Sequence, residues 1–132
     1  MIPTGLGRCG EKVSHFTSVK EEPLDPKFGT KAYIRWLISK DDGAETYSMR
    51  LFRIDVGGRI NSHAHPWEHE IFVIKGFMKV RIGSKWYRVS EGYFLYVPPN
   101  VEHEYVNDGN QESLFICVIP NKPTAERKVV KC

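Results

Sequence analysis

The 132-residue sequence has few cysteines, no long apolar run and little excess charge. Its three cysteines, Cys9, Cys117 and Cys132, lie far apart and form no Cys-x-x-Cys pair. This spacing argues against a disulfide framework and agrees with a reducing compartment. No apolar run reaches the roughly 18 residues of a membrane span, and residues 1–10 lack the apolar core of a signal peptide. We therefore expect a cytoplasmic protein with no membrane partner.

The net charge is only +3 at pH 7. Basic residues are dispersed along the chain, apart from Arg127, Lys128 and Lys131 near its end. A nucleic-acid surface needs a concentrated basic face, so no nucleic-acid partner is expected. A length of 132 residues fits one domain with a real core. Such a domain is small enough to gain stability by forming a dimer.

Helix signals are scarce, whereas strand signals recur along most of the chain. Residues 31–39 are rich in aromatic and branched side chains, and residues 46–56 form a second such run that ends at Gly57-Gly58. Residues 71–74 are apolar on both faces, as in an inner strand of a closed sheet. Short strands at near-regular spacing, separated by Gly, Pro and Asn, predict an all-β sandwich or barrel.

The composition predicts one domain between two extensions. Residues 1–28 mix Gly, Pro and charge and are expected to form an N-terminal arm, with a short strand near residues 13–19. Residues 29–120 contain the predicted strands, and residues 121–132 are expected to be a C-terminal tail. The sequence shows no internal repeat and no low-complexity stretch.

Four of the five histidines lie between positions 63 and 103. Residues two apart on a strand project to the same face, so His63 and His65 can approach a common point. The corner at residues 66–68 can then bring His69 round to them. Neutral imidazole binds divalent transition metals through either ring nitrogen. The predicted metal ligands are His63, His65, His69 and His103.

The frame around these histidines resembles the two sequence motifs of the cupin superfamily, over roughly residues 45–120. The motifs read Gly57-x5-His63-x-His65-x3-His69-x6-Gly76 and Gly92-x5-Pro98-x-Asn100-x2-His103-x3-Asn107. Most cupins carry Glu where this chain has His69, and the second motif carries Gly where this chain has Asn100. Asn is the non-glycine residue that best tolerates a left-handed backbone, so the turn is expected to persist. The resemblance implies a double-stranded β-helix, or jelly-roll barrel, over residues 29–120.

Glu70 is an alternative to His69 as third ligand, because the first spacing in this family is three or four residues. Six residues separate His69 from Gly76, as the motif has it, whereas five separate Glu70 from Gly76. The distance therefore favours His69. Residues 63–70 further resemble a subset of small single-domain cupins whose metal is held by four histidines.

Strand parity predicts a pocket beside the metal, since residues two apart share a face. The predicted pocket residues are Arg50, Phe52, Ile60, Tyr105, Phe115 and Cys117. Of these, Tyr105 is the nearest candidate for a general base, and Arg50 would anchor a carboxylate or enolate. The alternative is that Arg50 faces solvent while Tyr47, Met49 and Leu51 fill the core.

The resemblance implies a metal with open coordination positions, but cupins host many activities. The leading hypothesis is a metal-dependent oxidoreductase of dioxygenase type that acts on a small organic molecule, with manganese or iron as the metal and zinc, nickel or copper as alternatives. Other hypotheses are a non-redox isomerase or lyase that uses the metal as a Lewis acid, and a non-catalytic protein that binds the metal or a small molecule. A purely structural metal is a further alternative.

The sequence also predicts a homodimer. Residues 31–39 include Tyr33, Ile34, Trp36, Leu37 and Ile38. This is more apolar surface than the edge strand of a small monomer usually exposes. Dimers built on N-terminal strands are common in cupins, and a two-fold arrangement is the usual closed symmetry.

Overall fold

A computed structural model describes residues 5–121, which fold as a single all-β domain. The strands, in chain order, are β1 (Glu22–Pro23), β2 (Gly29–Ile38), β3 (Tyr47–His63), β4 (His69–Lys75), β5 (Phe77–Ile82), β6 (Lys85–Ser90), β7 (Phe94–Val97), β8 (His103–Val106) and β9 (Ser113–Pro120). Single 3-10 turns lie at Phe16–Ser18 and Lys40–Asp42. The all-β prediction is confirmed. Within residues 5–121 no helix is long and apolar enough to cross a membrane.

The strands of residues 5–121 form one curled antiparallel sheet, the jelly-roll barrel that the sequence predicts. Its order is β6-β5-β8-β3-β9-β4-β7, with β2 paired to β3 and the short β1 paired to β2. Consecutive strands are rarely neighbours in this order, so most contacts join distant parts of the chain. Segments far apart in sequence can therefore meet inside the barrel.

Strand β3 is longer than the sequence predicts, because it continues through Gly57 and Gly58 to His63. Its first half pairs with β9, from Tyr47 opposite Pro120 to Ile54 opposite Ser113. Its second half pairs with β8, from Arg59 onwards. Gly57 has a positive φ of 80°, which lets the strand bend and change its neighbour without ending.

The core lies on the concave face of the sheet, where alternate residues of each strand point inward. Phe52 and Phe115, cross-strand partners on β3 and β9, stack with ring centroids 5.2 Å apart. Tyr105 of β8 also stacks on Phe115, with ring centroids 5.2 Å apart. Full burial of a side chain of this size contributes about 1.5–3 kcal/mol. This aromatic row therefore holds three strands together.

Residues 12–19 of the arm pack on the convex face. Lys12 donates to the Leu37 carbonyl oxygen and to Asp42, both at 2.9 Å. The predicted strand near residues 13–19 is wrong, since a 3-10 turn begins at Phe16. The domain boundaries at residues 28 and 121 stay a prediction, although β2 begins at Gly29. Residues 122–132 of the predicted tail, with Cys132, lie outside the described residues.

The exposed surfaces of β2 and β4 differ from those expected from the sequence. Strand β2 offers less free apolar surface than expected, because Ile34 is buried in the core and Leu37 and Ile38 lie beside the arm. Strand β4 is an inner strand, as predicted, because it lies between β9 and β7. Its convex side is partly open, however, since Phe72 is 50% exposed and Ile74 is 38% exposed there. The arm covers part of that convex face and leaves this part open.

The turns of the two motifs explain their small residues. Gly76 and Gly92 have φ values of 86° and 88°, and Asn100 has a φ of 65°. The prediction that Asn100 keeps the left-handed turn is confirmed. The backbone N–H of Asn100 donates to the carbonyl oxygen of His65 at 2.6 Å. This bond ties the second motif directly to the first.

We predict that Asn107→Ala destabilises the fold by about 3 kcal/mol, because it leaves several buried groups without partners. The Asn107 side chain is fully buried; it donates to the Ile54 and Gln111 carbonyl oxygens at 2.9 Å and accepts from the Gly109 N–H at 3.0 Å. Urea denaturation would measure the change. Asn110→Ala, at an exposed position nearby, is the control. Equal stability of the two variants would contradict this role for Asn107.

Candidate metal centre

Three histidines meet at the ends of three strands. His63 is the last residue of β3, His69 is the first of β4 and His103 is the first of β8. His63 and His103 are also register partners across the β3–β8 ladder. One ring nitrogen from each of the three lies within 4.8 Å of the others. The change of neighbour along β3 therefore brings both motifs to one point.

The hydrogen bonds of two of these rings fix which nitrogen can bind a metal. Nδ1 of His63 lies 2.7 Å from the Asn61 carbonyl oxygen, and Nδ1 of His103 lies 2.9 Å from that of Val101. A carbonyl oxygen only accepts, so each Nδ1 carries the proton and each Nε2 keeps its lone pair. Nε2 of His103 is buried and has no hydrogen-bond partner among residues 5–121. A buried lone pair of this kind fits a metal ligand oriented by its backbone partner.

Burial lowers the pKa of all four imidazoles in the cluster. Desolvation is the main cause: it brings the pKa of His69 to about 2 and those of His65 and His103 to about 4, and it also lowers that of His63. Neighbouring histidines act in the same direction on His65, His69 and His103. The rings are therefore neutral at pH 7, which is the form that binds a metal.

His65 stands beside the other three rings but outside the group within 4.8 Å. Its ring centroid lies 4.8 Å from that of His63 and 5.3 Å from that of His69. The ring stacks on Trp67, with centroids 4.4 Å apart and planes at 5°. The structure thus places the predicted fourth ligand next to the cluster and holds its plane against an aromatic ring.

The structure brings His69 into the cluster and leaves Glu70 outside it. His69 is buried on the inner side of β4, and Glu70 is exposed on the convex side. Successive residues of a strand point to opposite faces, so both side chains cannot reach the same centre. Glu68 is also outside, where it accepts a hydrogen bond from the Tyr96 hydroxyl at 2.7 Å.

A cavity of about 360 Å³ opens beside the histidines. His63, His65 and His69 lie in its wall. All of the pocket residues predicted from strand parity also line it, namely Arg50, Phe52, Ile60, Tyr105, Phe115 and Cys117. Of the alternative core residues, Tyr47 is 62% exposed and Leu51 is buried on the convex side beside the arm. Arg50 therefore lies at the cavity.

Four residues that were not predicted from the sequence also line the cavity, namely Leu24, Phe28, Ile34 and Trp36. Ile34 and Trp36 share the parity of the buried Ala32 on β2, so strand periodicity could have found them. Leu24 and Phe28 belong to the arm, where no regular period exists. Only the tertiary path of the arm shows their position.

Arg50 is the cation of this cavity. Its Nη2 donates to Sγ of Cys117 at 3.0 Å, and its guanidinium carbon lies 4.9 Å from the centroid of the Phe52 ring and 5.5 Å from that of Trp36. Its Nε is buried without a hydrogen-bond partner, and no carboxylate of residues 5–121 pairs with it. A guanidinium keeps its charge at neutral pH. The cavity therefore carries an uncompensated positive charge.

Tyr105 and Cys117 keep their protons in this environment. Burial is the main cause that raises the pKa of the Tyr105 phenol well above its usual value, and the nearby Cys117 adds to it. Burial also raises the pKa of the Cys117 thiol, against the opposing charge of Arg50. Cys117 is absent from the group of possible metal ligands within the described chain. Neutral nitrogen donors, apolar walls and one cation thus form a site suited to a metal ion and an oxygen-rich anion.

The segment that carries the histidine cluster matches a known protein family. The sequence profile described as cupin domain matches residues 50–119. The matched segment begins at Arg50 and contains all four histidines of the cluster. It covers more than half of the chain.

Solved structures share the architecture. The polyketide cyclase RemF from Streptomyces resistomycificus is 28% identical with a TM-score of 0.81, and the alignment covers 92% of this chain and 87% of RemF. An RmlC-like cupin from Shewanella frigidimarina NCIMB 400 is 19% identical with a TM-score of 0.70, over 88% of this chain and 94% of that one. A predicted oxalate decarboxylase from Thermotoga maritima is 20% identical with a TM-score of 0.74, over 82% and 97%. The last two show the shared fold alone.

One curated protein is similar to part of the chain. The uncharacterized HTH-type transcriptional regulator YobQ of Bacillus subtilis (strain 168) is 28% identical over 58 residues, which is 44% of this chain and 24% of the regulator. The chain spans about a quarter of the length of that relative, so the similarity concerns one segment of it.

We predict that His63→Ala, His69→Ala and His103→Ala each weaken metal binding by at least about tenfold, because each removes one of the three closest nitrogen donors. Glu70→Ala is the matched control and should leave metal content unchanged. Mass spectrometry of the bound metal, after dialysis of every variant against the same metal buffer, measures the effect. A loss of metal in Glu70→Ala equal to that in His69→Ala would contradict the assignment.

Proposed function

This chain belongs to the cupin domain family, and on that basis we propose that it is an enzyme that binds one divalent transition metal and acts on an oxygen-rich carbonyl compound as its enolate. The observation that carries the proposal is the position of Arg50. Its cation lines the same cavity as the histidine cluster and has no acidic partner among the described residues. Such a cation stabilises an anion that binds beside the metal.

The substrate class follows from this charge and from one similar structure. The enolate of a 1,3-dicarbonyl compound spreads its negative charge over two oxygens, and the planar guanidinium can donate to two oxygens at once. RemF, which is 28% identical over 92% of this chain, is described as a polyketide cyclase. A compound with several carbonyl groups, as in a polyketide, combines enolate oxygens with apolar carbon that suits the cavity walls. We therefore favour a non-redox lyase, isomerase or cyclase.

The four-histidine set is part of this proposal. His63, His69 and His103 lie closest together, and His65 would complete the set, since its ring lies 4.8 Å from that of His63. A bound divalent metal would polarise the carbonyl oxygen as a Lewis acid. Nitrogen ligands select weakly among first-row metals. The proposed metal is therefore manganese or iron, with zinc, nickel and copper as alternatives.

The remaining wall residues position the substrate. Phe52 and Phe115 provide a stacked aromatic surface, with centroids 5.2 Å apart. Tyr105 lies beside both Phe115 and His103, at centroid distances of 5.2 and 5.7 Å. A protonated phenol there can donate to a substrate oxygen, which is a different role from the general base predicted from the sequence. Apolar walls around Arg50 exclude water and so strengthen its attraction for an anion.

The dioxygenase hypothesis remains as the second candidate function. The apolar walls of the cavity favour it, because dioxygen is apolar and an oxygenase must keep its intermediates from water. A non-catalytic binding protein is the third. Turnover of a panel of 1,3-diketones under nitrogen and in air separates these hypotheses. Equal product in both atmospheres supports the non-redox proposal, product in air alone supports the dioxygenase, and no product in either supports a binding protein.

We predict that Arg50→Gln weakens binding of 2′-hydroxyacetophenone to the metal-loaded protein by at least about tenfold, because a charge-assisted contact is lost. This probe offers a phenolate oxygen and a ketone oxygen side by side. Metal content should not change, since Arg50 is not a ligand. Arg50→Lys should keep part of the affinity, and Arg88→Gln, at a side chain that is 67% exposed, should keep all of it. Isothermal titration calorimetry measures the affinity, and unchanged binding in Arg50→Gln would overturn the proposal.

We also propose a homodimer, through a surface different from the one expected from the sequence. Phe72 and Phe94 are register partners on β4 and β7 and are 50% and 81% exposed. Strand β7 ends the path of the sheet. An apolar patch at a sheet edge favours isologous pairing. The cytoplasmic location stays a proposal too, based on the free thiols of Cys9 and Cys117.

Light scattering should therefore give about twice the 15.2 kDa of one chain at micromolar concentration. Phe94→Glu should give the mass of one chain, because it places a charge in the apolar contact. Tyr87→Glu, on β6 at the opposite end of the strand order, is the control and should leave the dimer intact. A wild-type mass of one chain would show that the dimer does not form.

A further inference from the structure

A second cavity of about 620 Å³ lies next to the histidine cavity, and the two share Trp36 as a lining residue. We infer that this second cavity is a subsite for the distal part of an extended, planar, hydroxylated substrate whose reacting end lies at the histidines. The inference rests on the proposed function, because it assumes that an oxygen-rich ligand binds beside Arg50. It adds the length of that ligand and the chemistry of its far end.

The register of β3 and β9 places the two cavities one after the other along the barrel. Inward-facing partners on these strands form successive pairs: Phe52 with Phe115, Arg50 with Cys117, then Ser48 with Ile119. The first two pairs line the histidine cavity and the third lines the second cavity. Neighbouring pairs on one face are two residues apart, about 7 Å along a strand. A ligand anchored at Arg50 therefore needs only one further ring to reach the Ser48–Ile119 pair.

Two tryptophans provide flat surfaces along this path. Trp36 is the register partner of Arg50 and is 42% exposed, and the guanidinium carbon of Arg50 lies 5.5 Å from the centroid of the Trp36 ring. Trp67 lines the second cavity and stacks on His65 at 4.4 Å. Both rings thus contact a residue of the histidine cavity and also face the second cavity. Flat aromatic surfaces favour planar ligands, because offset stacking adds to area burial.

The other lining residues indicate a polar but neutral far end. Glu22, Lys40 and Asp41 bring charges of both signs to the second cavity, and Ser39 adds a hydroxyl. A distal carboxylate or phosphate would meet the two acidic side chains there, whereas hydroxyl and carbonyl groups can bond to either sign. Lys40 makes no ion pair within residues 5–121, so its ammonium group is available to a ligand oxygen. The subsite therefore fits a hydroxylated ring.

The experiment compares two probes with the same reacting end, the single-ring 2′-hydroxyacetophenone and the three-ring 1-hydroxyanthraquinone. Both place a hydroxyl next to a ketone, and only the second is long enough to reach the second cavity. Binding to the metal-loaded full chain is measured by calorimetry and by quenching of tryptophan fluorescence. We expect the three-ring probe to bind at least about tenfold more tightly. It should quench fluorescence in wild type and in Trp86→Phe, because Trp86 lies on β6 and lines neither cavity.

Variants of the second cavity separate stacking in the subsite from general hydrophobic binding. Ile119→Trp fills the space beside Ser48 and should remove most of the gain of the three-ring probe, while Ile119→Val should keep it. Lys40→Ala, at an exposed position, should reduce binding of 1,6-dihydroxyanthraquinone, whose added hydroxyl is distal, and leave the single-ring probe unchanged. It also provides a test if Ile119→Trp does not fold.

The outcomes distinguish this inference from the proposed function. If the single-ring probe binds in an Arg50-dependent way but the three-ring probe gains nothing, the subsite is wrong and the proposed function stands. If the gain survives in Ile119→Trp and Lys40→Ala binds 1,6-dihydroxyanthraquinone as tightly as wild type does, the extra binding lies elsewhere and the subsite is also wrong. If neither probe binds, the proposed function fails and the inference fails with it. Loss of the gain in Ile119→Trp, or weaker binding of 1,6-dihydroxyanthraquinone to Lys40→Ala, supports the subsite if single-ring affinity is unchanged.

Discussion

The bend of β3 at Gly57 and Gly58 is the constraint on which the site depends. Before the bend, β3 pairs with β9 and supplies Arg50 to the cavity wall; after it, β3 pairs with β8 and places His63 opposite His103. One strand therefore carries both the cation and one histidine of the candidate metal centre. The bend is held by Asn107, whose backbone bonds to both glycines at 3.0 and 3.1 Å. A straight strand ending at these glycines would leave the ligands and the wall in unrelated places.

The ionisable side chains in the cavity lower the stability of the folded protein. Two buried and two half-buried imidazoles have lowered pKa values, and one arginine has no carboxylate partner among the described residues. Buried groups without partners destabilise a fold unless something else satisfies them. The aromatic stacking of Phe52, Phe115 and Tyr105 lies directly below these groups and offsets part of that cost. Destabilising buried groups supported by a tightly packed layer are typical of binding and catalytic centres.

The two-residue period of β-strands predicts which side chains share a face, and so predicts much of the site. The rest of the site depends on packing between distant parts of the chain. Parity alone places Arg50 and Phe52 on one face, and the left-handed turn of Asn100 follows from its side chain. Periodicity does not say which strand is the neighbour, so the continuation of β3 past its glycines could not be predicted from local sequence. It also does not distinguish an enclosed strand from one with an open apolar face, as the exposed Phe72 of β4 shows. The cavity residues of the arm follow no period at all.

The arm bears on how the ligand preference of this protein could change. Leu24 and Phe28 reach the cavity wall, yet the clustered histidines all lie between positions 63 and 103. The arm residues that line the cavity are thus separate in the chain from the segment that carries the histidine cluster. Specific side chains fasten the arm to the barrel: Lys12 pairs with Asp42 at 2.9 Å, and Glu21 pairs with Arg53 at 2.7 Å. A different arm that kept these two ion pairs could therefore give the same barrel a new ligand preference and leave the histidine cluster unaltered.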